Sequence, residues 1–416
     1  MRLSVHHLCI GVALFALHSA ASAAPDQAIL KAVEGCAPDA RALLQRLVAI
    51  DSGTANVVGV NALGTAVQPE LQRLGGTVEH VPSTVPGFAA SLLATWTGTG
   101  RGRILLIAHM DTVFLPGVAA ERPYRIESNR GIGPGAGDDK QGIVTALCAL
   151  QALRQTGFRD FARIAFILNS NEETGSTGSR DLIRSQAAVS DVVINLERGV
   201  PPDGVVVGRK GSAKGIFEIT GRAAHSGLEP ENGRNAIVEA AHQVLEVSKL
   251  ADKARETTVN VTLIHGGTVA NVIPDHATVT VDVRAFTAAE FDRVEAGMRR
   301  IATKVTVPDV RVTVALERGF PPWPRVKSTD ALLAQANTLY AEIDRSLAPV
   351  VVGSSADVAL AAAAGTASID GFGALGGGAH GLDDYVDLQS IVPRSYLLSR
   401  MLMSIGHEPA GITAAK

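Results

Sequence analysis

The chain has 416 residues, which is more than one hydrophobic core usually serves and indicates two or three domains. Apolar residues make up 46% and charged residues 19%, so the sequence can bury a core and is not mainly disordered. The net charge of -3 argues against a general nucleic-acid binder, which would be basic.

Residues 1–24 have the three-part pattern of a secretory signal. A basic start at Arg2 is followed by the apolar run 8–17, which is too short to span a bilayer, and by an Ala-Ser-Ala sequence ending at Ala23. The alternative is a buried N-terminal helix. We expect cleavage near Ala23 and a secreted or periplasmic protein that has no membrane partner.

Two cysteines, Cys36 and Cys148, would remain after this cleavage. They could form a disulfide in an oxidising compartment. Because Cys148 lies in an apolar helical stretch, the sequence favours two separate buried thiols instead.

Short apolar runs alternate with helical patterns in the first half of the chain. The runs 104–108, 164–168 and 192–196 are typical of buried parallel strands, and helical stripes occupy 39–50 and 143–153. This alternation predicts an α/β domain with a doubly wound, mainly parallel sheet covered by helices on both faces.

The pattern changes after Lys210 and predicts a second domain. Its elements have the order βαββαβ, which is typical of a ferredoxin-like module. They are expected at 215–220, 235–250, 258–264, 277–286, 288–305 and 310–316.

The boundary Gly319-Phe320-Pro321-Pro322 ends this module, and the first pattern then resumes. Helices are expected at 330–343 and 357–364, and strands at 349–352 and 367–369. The sequence thus predicts one catalytic domain, formed by residues 25–210 and 321–416, which is interrupted by a smaller domain at 211–320.

Polar side chains follow the predicted strands, where open α/β sheets place their sites. His109 and Asp111 come directly after the first of them. Residues i and i+2 of an extended chain point the same way, so this carboxylate can accept the His N–H and orient the ring as a metal ligand. An ordinary polar strand end is the alternative.

Three further acidic clusters occupy comparable places. Asp138 and Asp139 follow a glycine-rich loop. Asp138 is the candidate metal ligand, whereas Asp139 could equally cap the following helix or bind a metal. Adjacent extended residues face opposite ways, so one of Glu172 and Glu173 can bind a metal while the other faces substrate. A solvated acidic turn is the alternative there. Glu197 ends the third strand.

His380, in the sequence GGGAHG, completes a set of carboxylates and imidazoles without thiolate. Such a set suits zinc, or manganese or cobalt. Two Zn²⁺ ions would be balanced by Asp138, Glu173, Glu197 and a bound hydroxide. The sequence therefore predicts a two-metal site that activates water.

These residues lie in the segments LLIAHMDTVF, GPGAGDDKQG, NSNEETGS, GRAAHSG and GGGAHG. Their order and spacing resemble the dinuclear zinc exopeptidases and amidohydrolases, which include glutamate carboxypeptidase, succinyl-diaminopimelate desuccinylase and the aminoacylases. The resemblance covers nearly the whole mature chain and is greatest to the bacterial glutamate carboxypeptidase branch.

The resemblance implies a role for each metal ligand. Asp138 corresponds to the carboxylate that bridges two ions. The other ligands are His109 and Glu197 for one ion, and Glu173 and His380 for the other. Asp111 corresponds to the residue that holds the ring of His109. Asp139 is a departure, since the family often has a basic or apolar residue after the bridging Asp.

Further roles follow from the same resemblance. Glu172 matches the general base, which moves a proton from water to the leaving amine. His225 matches a residue that stabilises the oxyanion in the partner subunit's site, which implies a homodimer. The residues that match contacts to the substrate carboxylate are Asn271, Arg284 and Arg318, with Lys210 and Ser212 as weaker candidates. A turn position for His225 and a surface position for Arg284 are the alternatives.

We therefore expect a zinc-dependent hydrolase that removes a C-terminal amino acid, glutamate above all, from a small peptide or an N-acyl amino acid. A deacylase or dipeptidase with another side-chain preference is the first alternative. A non-catalytic metal-binding paralogue is the second, although an intact Glu172 argues against it. A structural zinc site is disfavoured because such sites are closed and usually rich in Cys.

Overall fold

The structure is a computed structural model that describes residues 24–409. The expected signal segment therefore lies, apart from its last residue, outside the described residues. Among the helices of 24–409, none combines the length and the apolar character needed to cross a membrane.

The described residues form helices and strands with the following bounds. The helices are α1 (Gln27–Val48), α2 (Val57–Arg73), α3 (Val118–Glu121), α4 (Gln141–Gln155), α5 (Arg180–Ala188), α6 (Ala236–Val247), α7 (Ala288–Ala302), α8 (Lys327–Tyr340), α9 (Val358–Ala363) and α10 (Ile391–His407). The strands are β1 (Thr77–Val81), β2 (Ser91–Thr97), β3 (Arg103–His109), β4 (Arg125–Glu127), β5 (Arg130–Ile132), β6 (Arg163–Asn169), β7 (Val192–Asn195), β8 (Gly204–Arg209), β9 (Gly211–Thr220), β10 (Ala224–His225), β11 (Thr258–Gly266), β12 (Val272–Ile273), β13 (His276–Ala285), β14 (Arg311–Arg318), β15 (Ala348–Val352), β16 (Ala367–Ile369), β17 (Gly376–Gly377) and β18 (Tyr385–Asp387).

The main sheet has six strands in the order β1-β2-β6-β3-β7-β16. The four strands from β6 to β16 are parallel, whereas β1 and β2 pair antiparallel at one edge. Successive residues of β3 face opposite sides. Leu106 packs in the core that includes α1, α4 and α10, and Leu105 and Ile107 pack with α5 and α9. The predicted doubly wound, mainly parallel sheet is confirmed.

The inserted domain, residues 211–318, has its own antiparallel sheet in the order β11-β13-β9-β14, which is covered by α6 and α7. Alternation along β13 explains the burial, because Val279, Val281 and Val283 are fully buried in a separate core. Apart from the two-residue strands β10 and β12, the order of elements is the βαββαβ order of the ferredoxin-like module that the sequence predicts.

The chain enters and leaves the inserted domain on neighbouring strands. Ala213 of β9 lies opposite Arg318 of β14. Beyond β14 the backbone N–H of Gly319 donates to the carbonyl of Ser212 (2.8 Å), and that of Phe320 donates to the Ser212 hydroxyl (3.0 Å). A Cβ at Gly319 would lie 2.4 Å from this hydroxyl oxygen, so a side chain there would displace the Ser212 hydroxyl from its hydrogen bond to Phe320.

Cys36 and Cys148 form a disulfide between α1 and α4, with their Cα atoms 5.7 Å apart. The sequence-based prediction of two separate thiols was therefore wrong. The apolar surroundings were predicted correctly, since the two residues are 3% and 0% exposed. An apolar environment at each cysteine does not reveal whether the two residues are neighbours, and here the packing of α1 on α4 brings them together.

This disulfide should contribute strongly to stability. It joins residues 112 positions apart, so it removes much of the loop entropy of the unfolded chain. We expect the double variant Cys36→Ser/Cys148→Ser to lose about 2–5 kcal/mol of unfolding free energy in urea titrations. Dithiothreitol should destabilise the unmutated protein equally and leave the double variant unchanged. Identical titrations of the unmutated protein with and without reductant would contradict the assignment.

Candidate active site at the carboxyl edge of the main sheet

His109 ends β3 and is almost fully buried. Its Nδ1 lies 2.9 Å from the backbone oxygen of Asp111, and its Nε2 lies 3.0 Å from Asp138 Oδ1 and 3.7 Å from Glu197 Oε1. A proton on Nδ1 would therefore be donated to the Asp111 carbonyl, leaving Nε2 to bind a metal ion.

The carboxylate of Asp111 has a different set of contacts from the one the sequence predicts. Its nearest oxygen lies 3.5 Å from His109 Nδ1, so the backbone carbonyl is the closer partner of the ring. The carboxylate instead accepts the Thr54 hydroxyl (2.7 Å) and the backbone N–H groups of Glu172 (3.0 Å) and Glu173 (3.2 Å). The fully buried Asp111 thus ties the end of β3 to the loop after β6.

His380 and Glu173 meet on the other side of Asp138. His380 Nε2 lies 3.0 Å from Glu173 Oε2 and 3.6 Å from Asp138 Oδ2. The backbone of His380 is in the left-handed region (φ 64°), a conformation that His adopts more often than most residues. The five predicted metal ligands therefore converge, with the carboxylate of Asp138 between the two histidine rings.

Two groups of donor atoms in this site are close enough to hold a metal ion. Ligand atoms of His109, Asp138 and Glu173 lie within 4.8 Å of one another, and so do those of His109, Glu172 and Glu197. Glu172 thus lies as close to the centre as the residues assigned as ligands.

The electrostatics of the site fit a bound cation. Burial raises the pKa of Glu197 to about 7, and it raises the pKa values of Glu172 and Glu173 above their usual range. The neighbouring carboxylate of Asp138 adds to the shift of Glu197 and Glu173. A divalent cation would reverse this effect by stabilising the ionised carboxylates, and the nitrogen and oxygen donors suit zinc.

Asp139 belongs to neither of these donor groups. Its Oδ1 accepts a hydrogen bond from Gln141 Nε2 (2.7 Å), and its Oδ2 lies 3.4 Å from the backbone nitrogen of His109. Asp139 therefore supports the strand that carries His109.

A cavity of about 860 Å³ opens from the ligand cluster toward the inserted domain. Ser212, Arg284 and Arg318 line it, as the substrate assignment requires. Arg284 contacts Asp282 (3.0 Å) and donates to the Ser355 hydroxyl of the catalytic domain (3.3 Å).

Arg318 has its charge matched within the inserted domain. Its Nη2 lies 2.9 Å from Asp292 and 3.1 Å from Glu295, both of α7. Its guanidinium also lies 5.2 Å from the ring centroid of Phe291. A substrate carboxylate at this position would compete with two carboxylates of the protein.

Three predicted residues lie outside the described cavity lining. His225 and Asn271 are exposed near the short ribbon of β10 and β12, in which His225 pairs with Val272. Lys210 is buried, with its Nζ 5.2 Å from the ring centroid of Phe286. Within a single subunit, these residues are not brought to the metal ligands.

Two arginines of the site were not predicted from the sequence. Arg198 Nη1 lies 3.2 Å from Asp138 Oδ2, and the buried Arg209 lies 3.9 Å from Glu197 Oε2 while hydrogen-bonding Asp370. Arg198 directly follows Glu197, which was the available signal. Arg209 gave no such signal, because its hydrogen-bond partner Asp370 lies 161 residues away in the sequence.

Comparisons with known proteins identify the fold and the family of the chain. A family model described as a peptidase dimerisation domain matches residues 207–310, and a model of peptidase family M28 matches residues 91–240. A tripeptidase structure from Staphylococcus aureus is similar with a TM-score of 0.73, at 20% identity, over 89% of this chain and 99% of that chain. An M20 family metallo-carboxypeptidase from Sulfolobus solfataricus gives 0.69, at 16% identity, over 88% and 99%. The fold is that of the M20 metallopeptidases.

One relative establishes the family. Carboxypeptidase G2 from Pseudomonas sp. (strain RS-16) is 34% identical over 412 residues, which cover 98% of this chain and 99% of that protein. The chain belongs to the M20 family of metallopeptidases and is an enzyme of the metallo-carboxypeptidase and aminohydrolase class. The resemblance drawn from the five sequence segments is confirmed.

Proposed function

We propose that this enzyme is a zinc-dependent carboxypeptidase that hydrolyses the amide bond to a C-terminal glutamate of N-acyl or peptidyl substrates. The carrying observation is the convergence of five proposed ligand side chains beside a cavity that cationic side chains line. Similarity to carboxypeptidase G2 supports this proposal.

The donor set supports two zinc ions per subunit. Asp138 has one oxygen near His109 and the other near His380, which suits a bridging carboxylate. Glu197 would complete the ligands of the first ion and Glu173 those of the second, and manganese or cobalt could substitute for zinc. When bound, zinc polarises the scissile carbonyl and lowers the pKa of water.

Glu172 is the proposed general base. Its backbone is held by Asp111, and its buried carboxylate lies beside His109 and Glu197, where it can take a proton from an attacking water. In the proposed reaction, Glu172 takes a proton from the water whose oxygen bonds to the amide carbon. It then gives this proton to the nitrogen as the carbon–nitrogen bond breaks, releasing a carboxylic acid and a free amino acid.

His225 is the proposed oxyanion donor. Its Nδ1 accepts hydrogen bonds from the backbone N–H groups of Gly227 and Leu228, both at 3.1 Å. The ring proton therefore lies on Nε2, which is free to donate to an oxyanion. Because His225 is exposed and away from its own cavity, we propose that it acts in the partner subunit of a homodimer.

Exposed apolar side chains of the inserted domain support this dimer. Val238 and Leu245 of α6 are 50% and 68% exposed, and Leu263 and Ile264 of the edge strand β11 are 53% and 51% exposed. Because the inserted domain also matches a peptidase dimerisation domain, we propose that the surface formed by α6 and β11 is the contact between the two subunits.

Substrate binding is assigned to the cationic wall of the cavity. Arg284 would form a two-pronged contact with the terminal α-carboxylate. Asn271, Lys210, Ser212 and Arg318 are retained as further proposed contacts from the resemblance. A carboxylate on the side chain of the C-terminal residue would be matched by the remaining positive charge.

The proposed function is tested with a panel of N-acyl amino acids and dipeptides, assayed for released amino acid. We expect Glu at the C-terminus to be preferred over Leu or Ala by about tenfold or more in kcat/KM, as expected when one charged contact is lost. A chelator should abolish release, and added Zn²⁺ should restore it. Equal rates on Glu and Leu substrates would favour a deacylase or dipeptidase of different preference, and binding without turnover would favour a non-catalytic paralogue.

Export remains a proposal from the first 24 residues. The disulfide between Cys36 and Cys148 supports it, because such bonds persist mainly in oxidising compartments.

A further inference from the structure

Six cationic side chains of Lys and Arg line the cavity between the ligand cluster and the inserted domain. They are Arg180, Arg198, Arg209, Lys214, Arg284 and Arg318. Five of the six contact a carboxylate of the protein. The pairs are Arg198–Asp138 (3.2 Å), Arg209–Asp370, Lys214–Glu317 (2.8 Å), Arg284–Asp282 (3.0 Å) and Arg318–Asp292 (2.9 Å).

Arg180 is the exception among these six. It begins α5, and its Nε donates to the backbone oxygen of Gly175 (3.0 Å), which fixes the plane of the guanidinium. Within residues 24–409, no carboxylate oxygen lies within 4.0 Å of it. Asp357 is the carboxylate that acts on the charge of Arg180 from a distance, but its two oxygens accept hydrogen bonds from Ser176 and Asn169.

The surroundings of Arg180 leave its charge poorly compensated. The side chain is half-buried, and burial lowers the pKa of its guanidinium, with Arg184 lowering it further. The terminal nitrogens Nη1 and Nη2 make no hydrogen bond within the described chain. A partly desolvated cation with unused donors on a cavity wall is stabilised when an anion binds.

We propose that Arg180 selects the substrate by binding the side-chain carboxylate of its C-terminal residue. This proposal rests on the proposed function above. Arg180 lies on the wall formed by the catalytic domain, while Arg284 lies on β13 of the inserted domain. In this proposal, the two carboxylates of a C-terminal Glu contact one guanidinium on each wall, and the cavity of about 860 Å³ is large enough for such a ligand.

Arg318 is less suited to this role. Its guanidinium is held by two carboxylates of α7, so a substrate carboxylate would have to displace them or share their partner. Arg180 has no such competitor, and its planar guanidinium offers the parallel donors that a carboxylate accepts.

The test compares two substrates with the same acyl group and either Glu or Gln at the C-terminus, which differ in charge and little in shape. We expect Arg180→Gln to lower kcat/KM for the Glu substrate about 10- to 100-fold, mainly through KM, because the contact exists before the reaction. The Gln substrate should change less than about twofold. The matched control is Arg184→Gln, on the next turn of α5, exposed and not lining the cavity, which should alter neither rate.

A second measurement does not depend on turnover. Calorimetric titration of the metal-loaded enzyme should give tighter binding of free glutamate than of glutamine, and Arg180→Gln should remove this difference. If Arg180→Gln does not fold, Arg180→Lys replaces it, and its Glu/Gln ratio should fall severalfold because lysine lacks the paired donors.

The proposal is overturned if Arg180→Gln, or a folded Arg180→Lys, leaves the Glu/Gln ratio unchanged. Equal losses on both substrates would assign Arg180 a purely structural role. Loss of discrimination in Arg318→Gln but not in Arg180→Gln would assign the second carboxylate to Arg318. Failure of the proposed function itself is distinct, since the unmutated enzyme would then release no amino acid from any substrate, or would release Glu and Leu at equal rates.

Discussion

Glu172→Gln should lower kcat by about two to four orders of magnitude, because the amide cannot accept the proton of the attacking water. Glutamine preserves the shape of the side chain, and the hydrogen bond from the backbone of residue 172 to Asp111 does not involve the side chain. We therefore expect unchanged folding and an unchanged metal content, measured by atomic emission on the purified variant. The measurement of interest is the single-turnover rate at saturating substrate.

The adjacent residue supplies the matched control. Glu173 lies 3.0 Å from His380 and, like Glu172, donates its backbone N–H to Asp111, so Glu173→Gln makes the same chemical change at the neighbouring position. This control should lose metal together with activity, because a ligand is lost. The reverse outcome, with metal lost from Glu172→Gln and kept in Glu173→Gln, would exchange the two roles. The proximity of Glu172 to His109 and Glu197 makes that outcome a real test.

His225→Ala should lower kcat by about 10²- to 10³-fold and change KM little, because an oxyanion contact forms only in the transition state. His225 can donate to the oxyanion because its Nδ1 accepts hydrogen bonds from the backbone N–H groups of Gly227 and Leu228, which leaves the ring proton on Nε2. Steady-state kinetics on a Glu substrate measure the effect. His225→Gln is a useful companion, because its amide N–H restores a donor without the ring.

Mixing two inactive proteins separates the partner-subunit assignment from a role within one subunit. After subunit exchange between His225→Ala and Glu172→Gln, half of the dimers are mixed, and one of their two sites has both native groups. Activity should return to about one quarter of that of the unmutated enzyme. If His225 acted in its own subunit, no site would be complete and no activity would return. Absence of any recovered activity, despite proven subunit exchange, would therefore contradict the shared site.

Of the five proposed metal ligands, His109, Glu173 and Glu197 could be placed together from the sequence because each follows an apolar run whose strand character is local, whereas Asp138 and His380 were assigned from their glycine-rich segments and the family resemblance. The ends of parallel strands meet at one sheet edge, so identifying β3, β6 and β7 also placed His109, Glu173 and Glu197 together. The contacts made by the Asp111 carboxylate escaped prediction, because they depend on the exact register between two loops.

Other differences have equally specific causes. The sequence predicts a helix from residue 39, after Pro38, whereas α1 begins at Gln27 and continues through this proline. Proline lacks a backbone N–H and usually ends a helix, but here Asp26 caps the start and buried residues such as Val33 and Leu44 hold both halves in the core. Arg180 follows the segment NSNEETGS, but the sequence does not show that it lines the cavity without a carboxylate partner, because that depends on contacts between residues far apart in the chain.

The close crossing at Ser212 and Gly319 bears on how such enzymes diversify. All five proposed metal ligands lie outside residues 211–318, whereas Arg284, Arg318 and His225 lie inside them. A domain attached by two adjacent strands can be exchanged or extensively mutated without moving the catalytic sheet, provided that its own first and last strands remain neighbours. Variation in the inserted domain can therefore alter which amides are accepted while the bond-breaking groups stay constant, and Arg180, on the unexchanged wall, would carry part of the acidic preference through such a replacement.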